Sequence, residues 1–428
     1  MPVSTSFVVG RGSPTDSLST TDLASIVSQA LVDVPRGARV LAVVPDRTRD
    51  DNTPALFPLI SQQLARIGAA SFDALVAQGT HPAMSDADKR AKIGWGRAEI
   101  PLLGQIFDHH WDRPENLKTV GMLSGSDVSR LTGGLIEQAV AVRLNSRVVE
   151  GNYDVVLVIG ATVPHEVAGF AGGAKYFFPG VAGPELTHTT HWLGALATIE
   201  RVIGRVETPT RRMIEAAADL IPAPVIAFTS VITRDGDAGT NRALFAGDIK
   251  ETFRRAAGIS AQVHVKYTGR RYRRVIALLD RHYDELWVGG KASYKLGAII
   301  EPGGELIIYA PHLKHISLTH GHLIERYGYA PLEDVREMVE GSDELRANLC
   351  VAAHLAHVAY AGLRTADGRI EPRFRITLAS SVPEETCRRV KLGFLDYKTF
   401  DLSKYKTDPD TLIVENAGRD LYLVQPDA

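Results

Sequence analysis

Cysteine is nearly absent from this chain: 428 residues contain two, Cys350 and Cys387. That scarcity argues against a secreted disulfide scaffold, a thiolate zinc site and an iron–sulfur cluster. An excess of charge is missing as well, with 48 lysines and arginines against 50 aspartates and glutamates. A broad nucleic-acid footprint is therefore not expected, although local cationic clusters leave room for a small anion. No apolar run reaches the length of a membrane span. The opening MPVSTSFVVGRGSP has neither a basic segment nor a long apolar core, so no signal peptide is expected and a cytoplasmic location is. Internal repeats and low-complexity tracts are lacking too. What is present is 45 % hydrophobic content in a length suited to two or three domains.

One stretch organises the chain, PHEVAGFAGGAKYFFPGVAGPELTHTTH from Pro164 to His191. It follows YDVVLVIGA (Tyr153 to Ala161), an apolar, β-branched run that reads as a buried strand of a parallel sheet. Open α/β sheets place ligands just past the carboxyl ends of such strands. Gly169, Gly172 and Gly173 permit positive φ and close approach of a ligand to the backbone. Lys175 closes the turn, where an amine serves as a phosphate contact or, with a lowered pKa, as a nucleophile. The bland reading is a tight glycine turn with a solvated lysine. His188 and His191 stand three residues apart on a helix expected to begin near Glu185, on one face and suited to a metal. Spacing alone does not say which of them binds, and most such pairs are incidental.

Two other strand ends carry reactive residue types. ARVLAVVP (Ala38 to Pro45) runs directly into Asp46, Arg47, Thr48 and Arg49, where an arginine fork suits a carboxylate or phosphate. FDALVAQG (Phe72 to Gly79) runs into Thr80 and His81. A lone histidine or a surface Asp–Arg turn is unremarkable; three strand ends bearing DRTR, GTH and PH-to-GGAK are harder to dismiss together. His109 and His110, beside Trp111, are read as packing residues. Helices are expected from Thr20 to Val32, starting at Thr21 or Asp22, from Pro54, from about Asp86 and from Pro209 to Leu220. Pro224 to Thr233 reads as a strand, with a turn at DGDAG after it.

The basic stretch HVKYTGRRYRR, ending at Arg274, marks a domain boundary. Beyond it, DELWVGG and Pro302 to His312 read as strands, with Lys291, Tyr294 and Lys295 just past the first. His312, His315, His320 and His322 have an irregular spacing that favours a buried polar network over a metal site. TLIVENAGRDLYLV reads as a hairpin turning at Asn416 to Gly418.

With these residues in view, the chain resembles the lactate racemase family, whose members use a nickel-pincer nucleotide. The matches are Asp46 to Arg49, Gly79 to His81, and PHEVAGFAGGAKYFFPG ending in TTHW, with histidine, lysine and histidine at 165, 175 and 191. The match covers roughly residues 36 to 200. The resemblance implies that Lys175 carries pyridinium-3-thioamide-5-thiocarboxylic acid mononucleotide covalently and that His191 is the protein ligand to Ni2+. It implies that Asp46, Arg47, Thr48, Arg49, Gly172 and Gly173 contact the cofactor and that Arg49 reaches the substrate carboxylate. His81 and His165 would be the catalytic acid–base pair, with imidazole pKa values near neutrality. It further implies dependence on cofactor-synthesis enzymes and a racemase or epimerase acting on a 2-hydroxy acid by hydride transfer.

Val167 stands where some members have cysteine, and Ala171 where serine is common. KASYK replaces a longer lactate-orienting segment, so Tyr294 and Lys295 are assigned to substrate and a sugar acid or other polar hydroxy acid is favoured over lactate. The expected fold is α/β with two domains, each a mostly parallel sheet flanked by helices, and an active site in the cleft between them. The domains are placed at 1–265, binding cofactor, and 266–408, with a hairpin over 409–428 packing back on the first. Two other readings compete: a metal-dependent hydrolase or lyase built on His312 to His322, and a non-catalytic nucleotide-cofactor-binding protein.

Overall fold

The computed structural model describes residues 5–235 and 238–426. Gly236 and Asp237, in the expected DGDAG turn, lie outside the described residues, as do positions 1–4 of the N-terminal segment. Chain contacts divide the protein into two units. Unit 1 comprises residues up to Val163, Phe170–Thr190 and Val206–Val263; unit 2 comprises Pro164–Gly169, His191–Arg205 and the chain from His264 onward.

Unit 1 is built on a seven-stranded sheet. Its strands are β1 (Val8–Gly12), β2 (Arg39–Pro45), β3 (Ser71–Ala77), β4 (Leu103–Phe107), β5 (Val155–Ala161), β6 (Val225–Asp235) and β7 (Ala238–Gly247). Their order is β1-β7-β6-β5-β2-β3-β4. Strands β6, β5, β2, β3 and β4 are parallel, while β7 runs antiparallel between β6 and β1. The central strands are apolar runs covered on both faces: all seven residues of β5 are buried, as are Val40 to Pro45 of β2. Each Val or Leu so buried contributes roughly 1.5–3 kcal/mol relative to exposure. Helices α1 (Thr20–Ala30) and α2 (Thr53–Ile67) pack their apolar faces into the same core. The start of α1 is a capping box, Ser19 with Asp22, so the cap precedes the expected start by a residue or more.

Besides the antiparallel pair Gly362–Arg364 and Ile370–Pro372, unit 2 holds a five-stranded sheet and a second strand pair. The strands are β8 (Val265–Tyr267), β9 (Tyr272–Leu278), β10 (Ile300–Ala310), β11 (Arg375–Ser380), β12 (Gly393–Phe394), β13 (Thr411–Val414) and β14 (Leu421–Leu423). The sheet order is β12-β11-β10-β9-β13, all parallel, and β14 pairs with β8. Two local expectations are corrected here. DELWVGG is not a strand: Leu286–Gly289 and Lys291–Leu296 are short helices, with Leu286, Val288 and Leu296 buried. The C-terminal tail is not a hairpin. Its turn residues do adopt left-handed φ, 50° at Asn416 and 91° at Gly418, but the flanking strands pair with β9 and β8 of unit 2.

Candidate active site

The carboxyl ends of three adjacent strands of unit 1, β5, β2 and β3, carry the three motifs. Past β2 lies Asp46, 3 % exposed. Its Oδ1 accepts from the Thr48 amide at 2.8 Å and the Thr48 hydroxyl at 2.6 Å; its Oδ2 lies 2.6 Å from His81 Nδ1. Burial alone would raise the Asp46 pKa, yet the charge and hydrogen bond of His81, with Arg49 and Thr48, hold it well below the usual carboxylate range. An ionised carboxylate only accepts, so His81 carries a proton on Nδ1, and the neutral form of the ring has its lone pair on Nε2.

The rest of the DRTRDDNT turn is pinned residue by residue. Asp50 binds Arg234 at 2.6 and 2.7 Å, and Asn52 binds Asn241 and Ser230. Asp51 caps Thr53 and forms a buried 2.6 Å ion pair with Lys92, whose ammonium also reaches the Arg49 carbonyl at 2.8 Å. Arg49 contacts the Thr48 hydroxyl, and Arg47 is exposed. The turn past β3 is held by buried Gln78, which donates to the Pro82 carbonyl and Asp108 and accepts from the His109 amide. His109 is indeed structural: its ring lies between the Ala182 carbonyl and Asn145, and burial pushes its pKa down to about 4. His188 meets the edge of Trp111 at 6.0 Å.

Past β5, the glycine loop packs too tightly for side chains. Gly172 and Gly173 have φ of 98° and 58°; a Cβ on Gly172 would lie 2.3 Å from Thr162 Oγ1, and one on Gly173 2.9 Å from the Phe253 Cβ. Tyr176 lies over Gly160 and donates to the Ala161 carbonyl. Half-buried Lys175 sits on the short 3-10 turn Gly173–Tyr176. The loop is joined to the β3 turn where the Gly79 amide donates to the Gly180 carbonyl at 2.9 Å. Unit 1 therefore brings Asp46, Thr48, Arg49, His81 and the Lys175 loop to one sheet edge.

A residue that the motifs did not disclose clamps that loop. Arg211, fully buried, donates to the Gly172 carbonyl at 3.2 Å and the Phe170 carbonyl at 2.6 Å, with its guanidinium 3.7 Å from the Phe253 ring centroid. Desolvation lowers its pKa to about 10, leaving it charged at neutral pH. Arg211→Met should strand two buried carbonyls, at about 1–3 kcal/mol each, and lower the melting midpoint; Arg211→Lys should recover only part, because an ammonium lacks the guanidinium fork. A melting curve unchanged in Arg211→Met would show that the loop does not depend on this clamp.

Unit 2 contains the other two motif histidines. Buried His165 accepts at Nδ1 from the Val167 amide at 3.1 Å, with Glu166 Oε2 at 3.5 Å from the same nitrogen. A ring that accepts at Nδ1 carries its proton on Nε2 when neutral, the tautomer opposite to that of His81. His191, half-buried, lies electrostatically close to His354, a buried histidine whose Nδ1 is 2.9 Å from the Tyr294 hydroxyl and whose ring is 4.3 Å from that of Trp287. Burial first, and then His357, His320 and His191, hold the His354 pKa well below its ordinary value. His354 and His357 lie in the helix Leu349–Ala359, which is buried from Cys350 onward. A histidine pair at i, i+3 inside LCVAAHLAHVA was the available signal for them.

Tyr294 and Lys295 are both buried within unit 2; Tyr294 meets His354, and the Lys295 ammonium donates to the Arg419 carbonyl at 2.7 Å. The four histidines from 312 to 322 do not converge: His315 and His322 are exposed, His312 contacts the Tyr283 carbonyl, and only His320 is buried, against Trp287. Among the described residues, no group of three or more His, Cys, Asp or Glu is placed to hold a metal ion. Among the described residues, no helix is long and apolar enough to cross a membrane.

Comparison with known proteins shows similarity in both sequence and fold. The lactate racemase N-terminal domain family matches residues 21–202. Lactate racemase of Thermoanaerobacterium thermosaccharolyticum is 26 % identical over 168 residues, which are 39 % of this chain and 35 % of that protein; the chain thus aligns with about a third of its curated relative. A crystal structure of a Thermotoga maritima protein, a Northeast Structural Genomics Consortium target, superposes with a TM-score of 0.87 at 33 % identity, covering 95 % of this chain and 98 % of that one. The T. thermosaccharolyticum lactate racemase apoprotein superposes with a TM-score of 0.68 at 17 % identity, covering 97 % and 94 %, a likeness of fold. Residues 21–202 thus match the lactate racemase N-terminal domain family, and the chain as a whole shares its fold with a lactate racemase apoprotein.

Proposed function

We propose that this protein is a racemase or epimerase of a 2-hydroxy acid. The observation that carries the reading is the pairing of buried Asp46 with His81 beside the Lys175 loop, at the carboxyl edge of the unit 1 sheet. The donor set there suits a tethered anionic nucleotide: a half-buried amine at Lys175, the cations Arg47 and Arg49, and a glycine loop that keeps side chains away. No protein metal cage exists among the described residues, so a metal would have to arrive with donors of its own, His191 adding one more. Lys175 would hold the nickel-pincer nucleotide, with Asp46 to Arg49, Gly172 and Gly173 around it. That group would supply a carbon able to take up and return the substrate's Cα hydrogen with its electron pair.

The chain's own residues then have defined tasks. Arg49 pairs with the substrate carboxylate. His81 Nε2 takes the hydroxyl proton, and Asp46 stabilises the imidazolium that results. His165 is the second acid–base group, serving the opposite enantiomer; its ring donates to the returning alkoxide only after taking up a second proton, the one it removes from a substrate hydroxyl in the reverse direction. The preference for a polyhydroxylated acid drew partly on His312 to His322; with His315 and His322 exposed, that segment lends it little support. Holoenzyme, made alongside the cofactor-synthesis enzymes, should interconvert the enantiomers of at least one acid among lactate, malate, phenyllactate and aldonates, followed by optical rotation. Failure across that panel with cofactor-loaded protein would reject the reading.

A further inference from the structure

A cavity lies wholly within unit 2, at the amino ends of β9, β10 and β11, the sheet edge opposite the one where α/β folds usually bind ligands. Its volume is about 570 Å³, the size of a small-molecule site. Four cations line it, Arg273, Arg274, Arg375 and Lys391, with two carboxylates, Glu305 and Glu371. Arg274 and Arg375 are already engaged by Glu305, at 3.4 and 2.9 Å, and Arg274 also by Asp408. Burial would raise the Glu305 pKa, but Thr377 and the two arginines hold it low, so that set is internally neutralised.

Arg273 and Lys391 are different. Among the described residues neither has a carboxylate partner, and both are exposed at the cavity. Lys391 is held there in a left-handed conformation, φ 61°, that a lysine rarely adopts. The floor between them is apolar and partly aromatic, formed by buried Phe374, Ile376, Tyr329 and Leu392. Glu371 completes the wall as an acceptor.

We propose that this cavity binds a nucleoside monophosphate or an organic phosphate of the same build. The phosphate would meet Arg273 and Lys391, ligand hydroxyls would donate to Glu371, and the planar body would lie on the Phe374 and Tyr329 floor. Each of the three chemical parts of such a ligand has a counterpart, and the cationic pair lacks one in the protein itself. The assignment does not depend on the activity proposed above.

Calorimetric titration of the full chain with adenosine 5′-monophosphate, adenosine and inorganic phosphate tests it. The monophosphate should bind with a Kd below about 1 mM, and adenosine and phosphate each at least about tenfold more weakly. The double variant Arg273→Gln, Lys391→Asn removes both cations while asparagine keeps the left-handed conformation; it should melt like the parent and bind the monophosphate at least about tenfold more weakly. Binding unchanged in the double variant, as expected of a nucleotide seated elsewhere, would overturn the proposal. So would inorganic phosphate binding as tightly as the monophosphate, or no monophosphate binding at about 5 mM.

Discussion

Asp46→Asn should lower kcat by about 10³–10⁴-fold while leaving the loaded cofactor mass unchanged. The exchange keeps the shape of the side chain but removes the obligate acceptor. An asparagine amide can donate to His81 Nδ1, which moves the ring proton to Nε2 and converts the base into a donor. The 2.6 Å contact between Asp46 and His81 makes this a direct effect on the histidine. Stability should respond as well. The folded-state pKa of Asp46 is depressed, so the stability it contributes is present above the ordinary aspartate pKa near 4 and is lost as pH falls toward the folded value. The acid limb of the unfolding curve should therefore flatten in Asp46→Asn. Full turnover in this variant would show that His81 is not the base.

Lys175→Ala should abolish turnover and the covalent mass increase of protein made alongside the cofactor-synthesis enzymes. The amine is the one nucleophile the glycine loop presents, and alanine on the 3-10 turn Gly173–Tyr176 leaves the loop backbone unperturbed. Lys175→Arg separates charge from nucleophilicity, since a guanidinium keeps the cation but does not form the thioamide. Intact-mass spectra of the three proteins decide the matter: an adduct that persists in Lys175→Ala would place the attachment elsewhere.

Much of unit 1 could be read from the chain because its central strands are covered on both faces. Val40 to Val44 and Val155 to Ala161 are uninterrupted apolar runs for that reason, and the polar residues that end them mark the sheet edge. Unit 2 was less legible. LWVGG is short, apolar and β-branched in part, and periodicity over four residues does not separate a buried strand from a turn of helix. At the tail the local turn chemistry was right at Asn416 and Gly418, but strand pairing is a long-range choice, and β9 and β8 outcompeted the neighbouring strand. Arg211 escaped notice because its role depends on two carbonyls about forty positions earlier, at Phe170 and Gly172. The buried histidines at 354 and 357 sit in a helix apolar on all sides, which carries no face to single them out.

The winding of the chain between its two units has a practical corollary for dissecting the protein. A fragment starting at residue 266 would omit Ala195, Ile199 and Ile203, which are packed in the same apolar cluster as Val275, Leu306 and Val351. It would also leave Arg373 without Glu200, its 2.6 Å ion-pair partner. Gene truncation at that point would thus yield a C-terminal piece with a gap in its interior, because unit 2 draws on stretches of chain from both sides of the cut.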